Sequence, residues 1–319
     1  MLQQTVRTSV IPYYTRWMER FPTIRDVASA DISELLLLWE GLGYYQRVRN
    51  IHRTAQIVVA TSQTELPTDY SELIKFPGIG DYSARAILSI ALGKPYPVID
   101  VNVRRVVRRL FAIEKWDPPA DKLIEEYLNR MIPPDQPALF NEAMMELGQT
   151  ICKVKSPNCL SCPLMDQCQA NMSGQQEQLG VKRSTTVKVR RKSYILLVCC
   201  GDFLYIERRK SVRFQQLWMF PSIPCEEVLT GLSAEEPARV RFGEDIRLVT
   251  ELKPHTHYYT KYAEELFPRV YRQPKTREIA GGEWVRLDQL SGFPMPSVYR
   301  RIAQELLDYL SKSTDSSNQ

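Results

Sequence analysis

The 319-residue chain has no apolar run of membrane-spanning length. Its longest, "LLLLW" (35–39) and "YILLVCC" (194–200), fall far short of the ~20 residues that a span requires. The first ten residues, "MLQQTVRTSV", lack the apolar stretch of a secretory signal, so a cytoplasmic, reducing setting is expected. Histidine is scarce, with His52, His255 and His257 the full set. The seven cysteines are odd in number, which together with that setting argues against a disulfide framework. Strand-like alternation is missing before residue 186, and no internal repeat spans the chain. What remains is the composition of a globular protein, 44% hydrophobic and 25% charged, long enough for two domains.

The net charge of +5 is local. Lys and Arg balance Asp and Glu in residues 1–170 and again in 193–319, so the excess lies in 171–192, "NMSGQQEQLGVKRSTTVKVRRK". That segment is polar and without apolar periodicity, which reads as an interdomain linker. Its basic bias suits a tether lying along a polyanion. Before it, the pattern is helical: residues 2–20, then about 45–60, 70–76, 83–92, 101–112, 120–131 and 137–150. "TIRD" (23–26) and "DISE" (31–34) resemble capping boxes. After the linker the period changes to two. "YILLVCC" and "FLYIERR" read as a hairpin turned by Gly201-Asp202, with further strands near 217–223, 246–252, 256–261 and 283–287. A closing helix is expected over 297–310, and a disordered tail over 311–319.

Two stretches carry chemistry. In "LIKFPGIGDYSARAIL" (73–88), Gly78 and Gly80 permit a tight turn between short helices and a close backbone approach. A phosphate could sit on the N–H groups of the second helix, although an ordinary helical corner would look the same. In "PYPVIDVNVRRVVRRLF" (95–111), Asp100 precedes a helix with Val103, Val106, Val107, Leu110 and Phe111 on one face. Arg104, Arg105, Arg108 and Arg109 lie off that face, as a solvated surface or as a surface for a polyanion. Asp100 is either a plain N-cap or a functional carboxylate.

The third feature is "CKVKSPNCLSCPLMDQC" (152–168), with six, two and five residues between its cysteines. Zinc sites commonly use two Cys-x-x-Cys knuckles or Cys/His pairs. Here only Cys159 and Cys162 form a knuckle and no histidine is near. Four thiolates in one compact loop suit a cubane iron–sulfur cluster better.

In this order the three features resemble the helix-hairpin-helix DNA glycosylases of the endonuclease III superfamily. The resemblance implies an all-α glycosylase domain over 1–170, with a 4Fe-4S cluster held by Cys152, Cys159, Cys162 and Cys168. Next would come the basic linker (171–192) and a smaller α+β, Nudix-like domain over 193–310. The branch that cleaves the strand carries a lysine in the second hairpin helix. Tyr82 stands there in this chain, and "MLQQT", "LWEGLGYYQRVRN", "NEAMMELG" and "LWMFPS" look like the adenine DNA glycosylase branch. That branch implies hydrolysis of the N-glycosidic bond of adenine opposite 8-oxoguanine or guanine in duplex DNA, by a monomer, with no membrane involved.

By the same resemblance, Asp100 is the catalytic carboxylate, Asn102 orients it, and Tyr82 lies near the reacting sugar. Gln4 and Tyr44 wedge into the duplex, although Tyr44 alone would read as a core aromatic beside Gly43. Gly78, Gly80 and Arg104 complete the DNA-facing set. Tyr259 and Thr260 align with an oxoguanine-recognition loop. The second domain lacks the Glu-rich Nudix metal box, so diphosphate hydrolysis is not expected. The family's general-acid glutamate would fall two residues before "MLQQT", ahead of Met1. The expectation is therefore a chain truncated relative to the family, the alternative being a mispair-binding protein with impaired catalysis. A bifunctional glycosylase/lyase is disfavoured by Tyr82.

Overall fold

The computed structural model describes residues 1–3, 5, 7–61, 65–180, 189–208, 216–225, 236–258 and 262–315. Two compact units emerge, one combining Met1–Val59 with Thr186–Gln319, the other Ala60–Thr185.

The first unit opens with α1 (Arg7–Arg20), α2 (Ile24–Ser29), α3 (Ile32–Leu38) and α4 (Gln46–Ala60). Thr23 closes a reciprocal capping box with Asp26, as the "TIRD" pattern implies. Asp31 caps α3 through the Ser33 N–H alone, without the glutamate half of a box. Val10, Trp17, Leu35, Leu36, Trp39 and Val48 bury one face of these helices.

The sheet of this unit has, among the described residues, strands β1 (Val189–Cys200), β2 (Phe203–Arg208), β3 (Trp218–Met219), β4 (Ser222–Pro224), β5 (Arg247–Glu251), β6 (His255–Tyr258), β7 (Tyr262–Arg272) and β8 (Gly282–Arg286). The main order is β3-β2-β1-β7-β5, with β4 beside β1, β6 beside β7 and β8 beside β2. Gly201, at φ +55°, turns β1 into β2 as expected from sequence. The central pairing is long and parallel, Val189↔Tyr262 through Cys199↔Arg272.

Both faces of β1 are covered. Ile195, Leu197 and Cys199 enter one core, and Leu196 and Val198 enter another with Tyr205, Ala238 and Phe242. The first of these cores also holds Trp17, Leu35, Trp39 and Val48 from the N-terminal helices. It is completed by Met295, Val298, Ile302 and Leu306, four residues in or just before the closing helix Ser297–Asp315. That helix runs to Asp315, so its described part replaces much of the expected tail.

The second unit contains α5 (Tyr70–Leu73), α6 (Asp81–Ala86) with a π-helical continuation Ile87–Ala91, α7 (Val101–Leu110), α8 (Pro118–Met131), α9 (Pro137–Thr150) and α10 (Gln169–Met172). Val103, Val106 and Val107 of α7 pack with Ile124, Leu128, Met144 and Leu147 of α8 and α9. The stretch from 171 to 180 is folded chain rather than a solvated tether. Leu179 is buried and its carbonyl accepts the Arg109 Nε–H at 3.0 Å, while Val189–Lys192 already belong to β1.

Candidate functional site

Gly78 sits at φ +78°, a conformation that glycine adopts without strain, and it turns the chain from α5 into α6. Gly80 is the N-cap of α6 and offers no side chain to its free N–H groups. Tyr82 follows in the first turn, about one-third exposed, with its hydroxyl 3.9 Å from Met145 Sδ on α9. Burial, and secondarily the charge of Asp100, pushes the Tyr82 phenol above its usual range. The two groups therefore share one electrostatic environment.

Asp100 caps α7 and remains available for chemistry. Its Oδ1 accepts the N–H groups of Asn102 at 2.8 Å and Val103 at 2.7 Å, and its Oδ2 accepts Asn102 Nδ2 at 2.8 Å. Three donors thus converge on this carboxylate at the start of α7 and fix its orientation. The N-cap and functional readings of Asp100 are compatible.

The support behind Asp100 escaped the sequence reading. Buried Asn141 accepts the Val98 N–H at 2.8 Å and donates to the Tyr96 carbonyl at 3.0 Å and to Ser89 Oγ. It fixes the extended segment that delivers Asp100. Asn102 is held in turn by Arg105, whose Nη2 reaches Asn102 Oδ1 at 3.0 Å and the Gly148 carbonyl at 2.6 Å. Gly148 is required by close approach, since a Cβ there would lie 2.7 Å from Asn102 Cβ and 3.1 Å from Asn102 backbone atoms. Arg105 Nε also donates to the Cys152 carbonyl at 2.8 Å. A continuous hydrogen-bonded path thus runs from Asp100 through Asn102 and Arg105 to the first cysteine of the loop.

Cys152, Cys159, Cys162 and Cys168 are free thiols that line one cavity together with Arg109. Burial raises the Cys159 thiol, and the other three cysteines add to the effect, so all four are electrostatic neighbours. Among the described residues, no group of three or more His, Cys, Asp or Glu is arranged to hold a metal ion. A polynuclear cluster asks for something different, one thiolate per iron around a common volume. The four cysteines here share one cavity. Arg109 Nη1 lies 3.3 Å from Cys152 Sγ, positive charge placed where a thiolate set would need it.

The arginines of α7 are the main correction to the sequence reading. Arg105, Arg108 and Arg109 are buried rather than spread on a solvated face. Arg109 donates to the carbonyls of Lys153 at 2.6 Å, Val154 at 3.1 Å and Leu179 at 3.0 Å. Arg108 stacks over Trp116 at 3.9 Å and pairs with Asp121 at 3.0 Å. Arg104 is partly exposed and also bonded to Asp121 of α8.

Tyr44 belongs to the first unit. It is 52% exposed at φ +49°, in a turn where Gly41 (φ +102°) and Gly43 (φ +70°) are also left-handed. Exposure excludes the core-aromatic reading. Arg47 organises this turn, donating to the carbonyls of Met1 at 2.6 Å, Leu42 at 3.1 Å and Gly43 at 3.2 Å, with its guanidinium 5.7 Å from the Tyr44 ring centroid. Gln4, Tyr259 and Thr260 lie outside the described residues. Among those described, no helix is long and apolar enough to cross a membrane.

A hairpin, an aspartate capping the next helix and a four-cysteine loop are the features on which the chain resembles the helix-hairpin-helix DNA glycosylases. Residues 1–134 match the family described as HhH-GPD superfamily base excision DNA repair protein. That match takes in helices α1 to α8. It is 33% identical over 291 residues to an adenine DNA glycosylase of Arabidopsis thaliana, covering 79% of this chain and 46% of the relative. It is 34% identical over 227 residues to an adenine DNA glycosylase of Buchnera aphidicola subsp. Schizaphis graminum, covering 70% and 65%. The chain thus spans between about half and two-thirds of these two relatives' lengths. A solved thermostable thymine-DNA glycosylase shares the helical fold, with TM-score 0.51 and 23% identity over 54% of this chain and 80% of that one.

Proposed function

We propose that the chain acts as an adenine DNA glycosylase, hydrolysing the N-glycosidic bond of adenine opposite 8-oxoguanine or guanine in duplex DNA. The observation that carries this is the Asp100 carboxylate, held by three N–H donors at the start of α7 and electrostatically adjacent to Tyr82 rather than to a lysine. Departure of the base builds positive charge on the sugar, and a carboxylate held in place stabilises that charge without reorganising. Asn102 keeps the carboxylate aimed, and Arg105 keeps Asn102 aimed. Tyr82 cannot form a Schiff base, so simple hydrolysis without strand cleavage follows. Gly78 and Gly80 would bring backbone N–H groups to the DNA phosphates, Arg104 would add charge, and Gln4 and Tyr44 would enter the duplex beside the extruded base.

Cys152, Cys159, Cys162 and Cys168 would hold a 4Fe-4S cluster. When bound, it supplies order to the 152–168 loop rather than redox chemistry to base removal. The C-terminal domain would read oxoguanine in a Nudix-like manner through Tyr259 and Thr260, and the protein would work as a cytoplasmic monomer on DNA.

The test is single-turnover release of adenine from an oxoguanine:adenine duplex, comparing the wild-type chain with Asp100→Asn. Release by wild type and loss in the variant support the reading, while equal rates would remove Asp100 from the chemistry. Tight duplex binding by wild type with no release would favour a mispair-binding protein instead.

A further inference from the structure

Tyr44 occupies the left-handed region without being glycine, a conformation that persists only when its surroundings over-determine it. The surroundings include the far end of the chain. Glu40, four residues before Tyr44, takes Arg300 in a two-pronged pair, Nε to Oε1 at 2.6 Å and Nη2 to Oε2 at 2.9 Å. Glu40 Oε2 also accepts the Met295 N–H at 3.0 Å. Immediately after Tyr44, the buried Tyr45 hydroxyl donates to the Met295 carbonyl at 3.1 Å. Both polar backbone groups of Met295 are therefore engaged by side chains flanking Tyr44. Arg300 locks this segment further by donating to the carbonyls of Leu290 at 2.9 Å and Phe293 at 2.6 Å. The pair is partly buried, with the Glu40 side chain 15% and the Arg300 side chain 29% exposed, so water screens it weakly.

We propose that Glu40 and Arg300 are positioning residues for Tyr44, through which the C-terminal domain sets the turn that enters the duplex. The proposal rests on the glycosylase reading of Tyr44 given above. It makes the C-terminal domain more than a reader of the opposite base, because the aromatic wedge is aimed by it even on DNA without a lesion.

The experiment uses the full chain and duplexes carrying 2-aminopurine beside the mispair, whose fluorescence rises when its stacking is broken. Wild type, Arg300→Met, Arg300→Lys, Tyr44→Ala and the double variant Arg300→Met/Tyr44→Ala are compared at saturating protein. Arg300→Met should lower the fluorescence gain about threefold, an effect of the size expected for coupled neighbours. Arg300→Lys should restore part of it, and Arg300→Met should have no further effect once Tyr44 is alanine. Loss of the same factor in both backgrounds would overturn the proposal, because a general structural defect does not depend on Tyr44. Unchanged fluorescence in Arg300→Met would overturn it equally. If Tyr44→Ala alone leaves the signal intact, the wedge reading itself fails, and that outcome is distinct from the other two. Should Arg300→Met fold poorly, Glu40→Gln carries the same comparison, since it keeps the side chain's size and removes its charge.

Discussion

Arg109 offers the most demanding test of how the cysteine loop is built. The residue is 1% exposed, and its nitrogens serve three carbonyls (Lys153, Val154 and Leu179) as well as Cys152 Sγ. Arg109→Met would keep much of the volume and leave those acceptors without their donor. Leaving buried carbonyls without their donor costs about 1–3 kcal/mol each, so losing three at once removes a large part of the total stability of a domain. The midpoint of thermal unfolding should fall by roughly 8–15 °C for a unit of this size. Lysine should not rescue it, because one ammonium cannot serve acceptors spread around a planar fork. Iron content separates packing from charge. If the loop holds a cubane cluster, wild type should carry about four irons per chain, and Arg109→Met should lose iron along with stability. Arg130→Met, at an exposed position near the end of α8, is the control and should move neither quantity. An Arg109→Met protein with an unchanged midpoint and a full iron complement would refute the reasoning.

Other consequences can be measured in parallel. Gly148→Ala drives a Cβ into the Asn102 backbone and should cost about 1–3 kcal/mol by overpacking, while slowing adenine release more than it weakens duplex binding. Burial, partly opposed by Glu264 and aided by Arg301, lowers the His257 imidazole below 6.5, so the unfolded chain binds its proton first. Stability should accordingly fall as pH drops through about 6.5 and level off once the folded histidine is protonated too, and His257→Gln should flatten that step. Burial pushes the Cys199 thiol up to about 12, so alkylation at neutral pH should spare it until the protein unfolds. Removing residues 186–319 should yield insoluble protein, because Trp39, Leu35 and Val48 share their core with Met295, Val298 and Ile302. Discrimination between oxoguanine and guanine is therefore better probed with Thr260→Ala than by deletion.

The features legible in the sequence are those whose physics is local. Thr23 and Asp26 cap a helix within four residues, Gly78 answers a turn, and Asp100 announces the start of α7. The cysteine spacing speaks for itself because all four thiols lie in one loop. Features that depend on distant partners were hidden. A run such as "VRRVVRRL" looks solvated because arginine is seldom buried, and what reverses that preference is a set of carbonyls on residues 148, 152–154 and 179. The strand β7 was hidden for a similar reason. It contains Pro268, which by itself argues against a central strand, and its parallel partner β1 lies far away in sequence. The pairing runs unbroken from Val189↔Tyr262 to Cys199↔Arg272, and that length outweighs the one N–H that proline withholds.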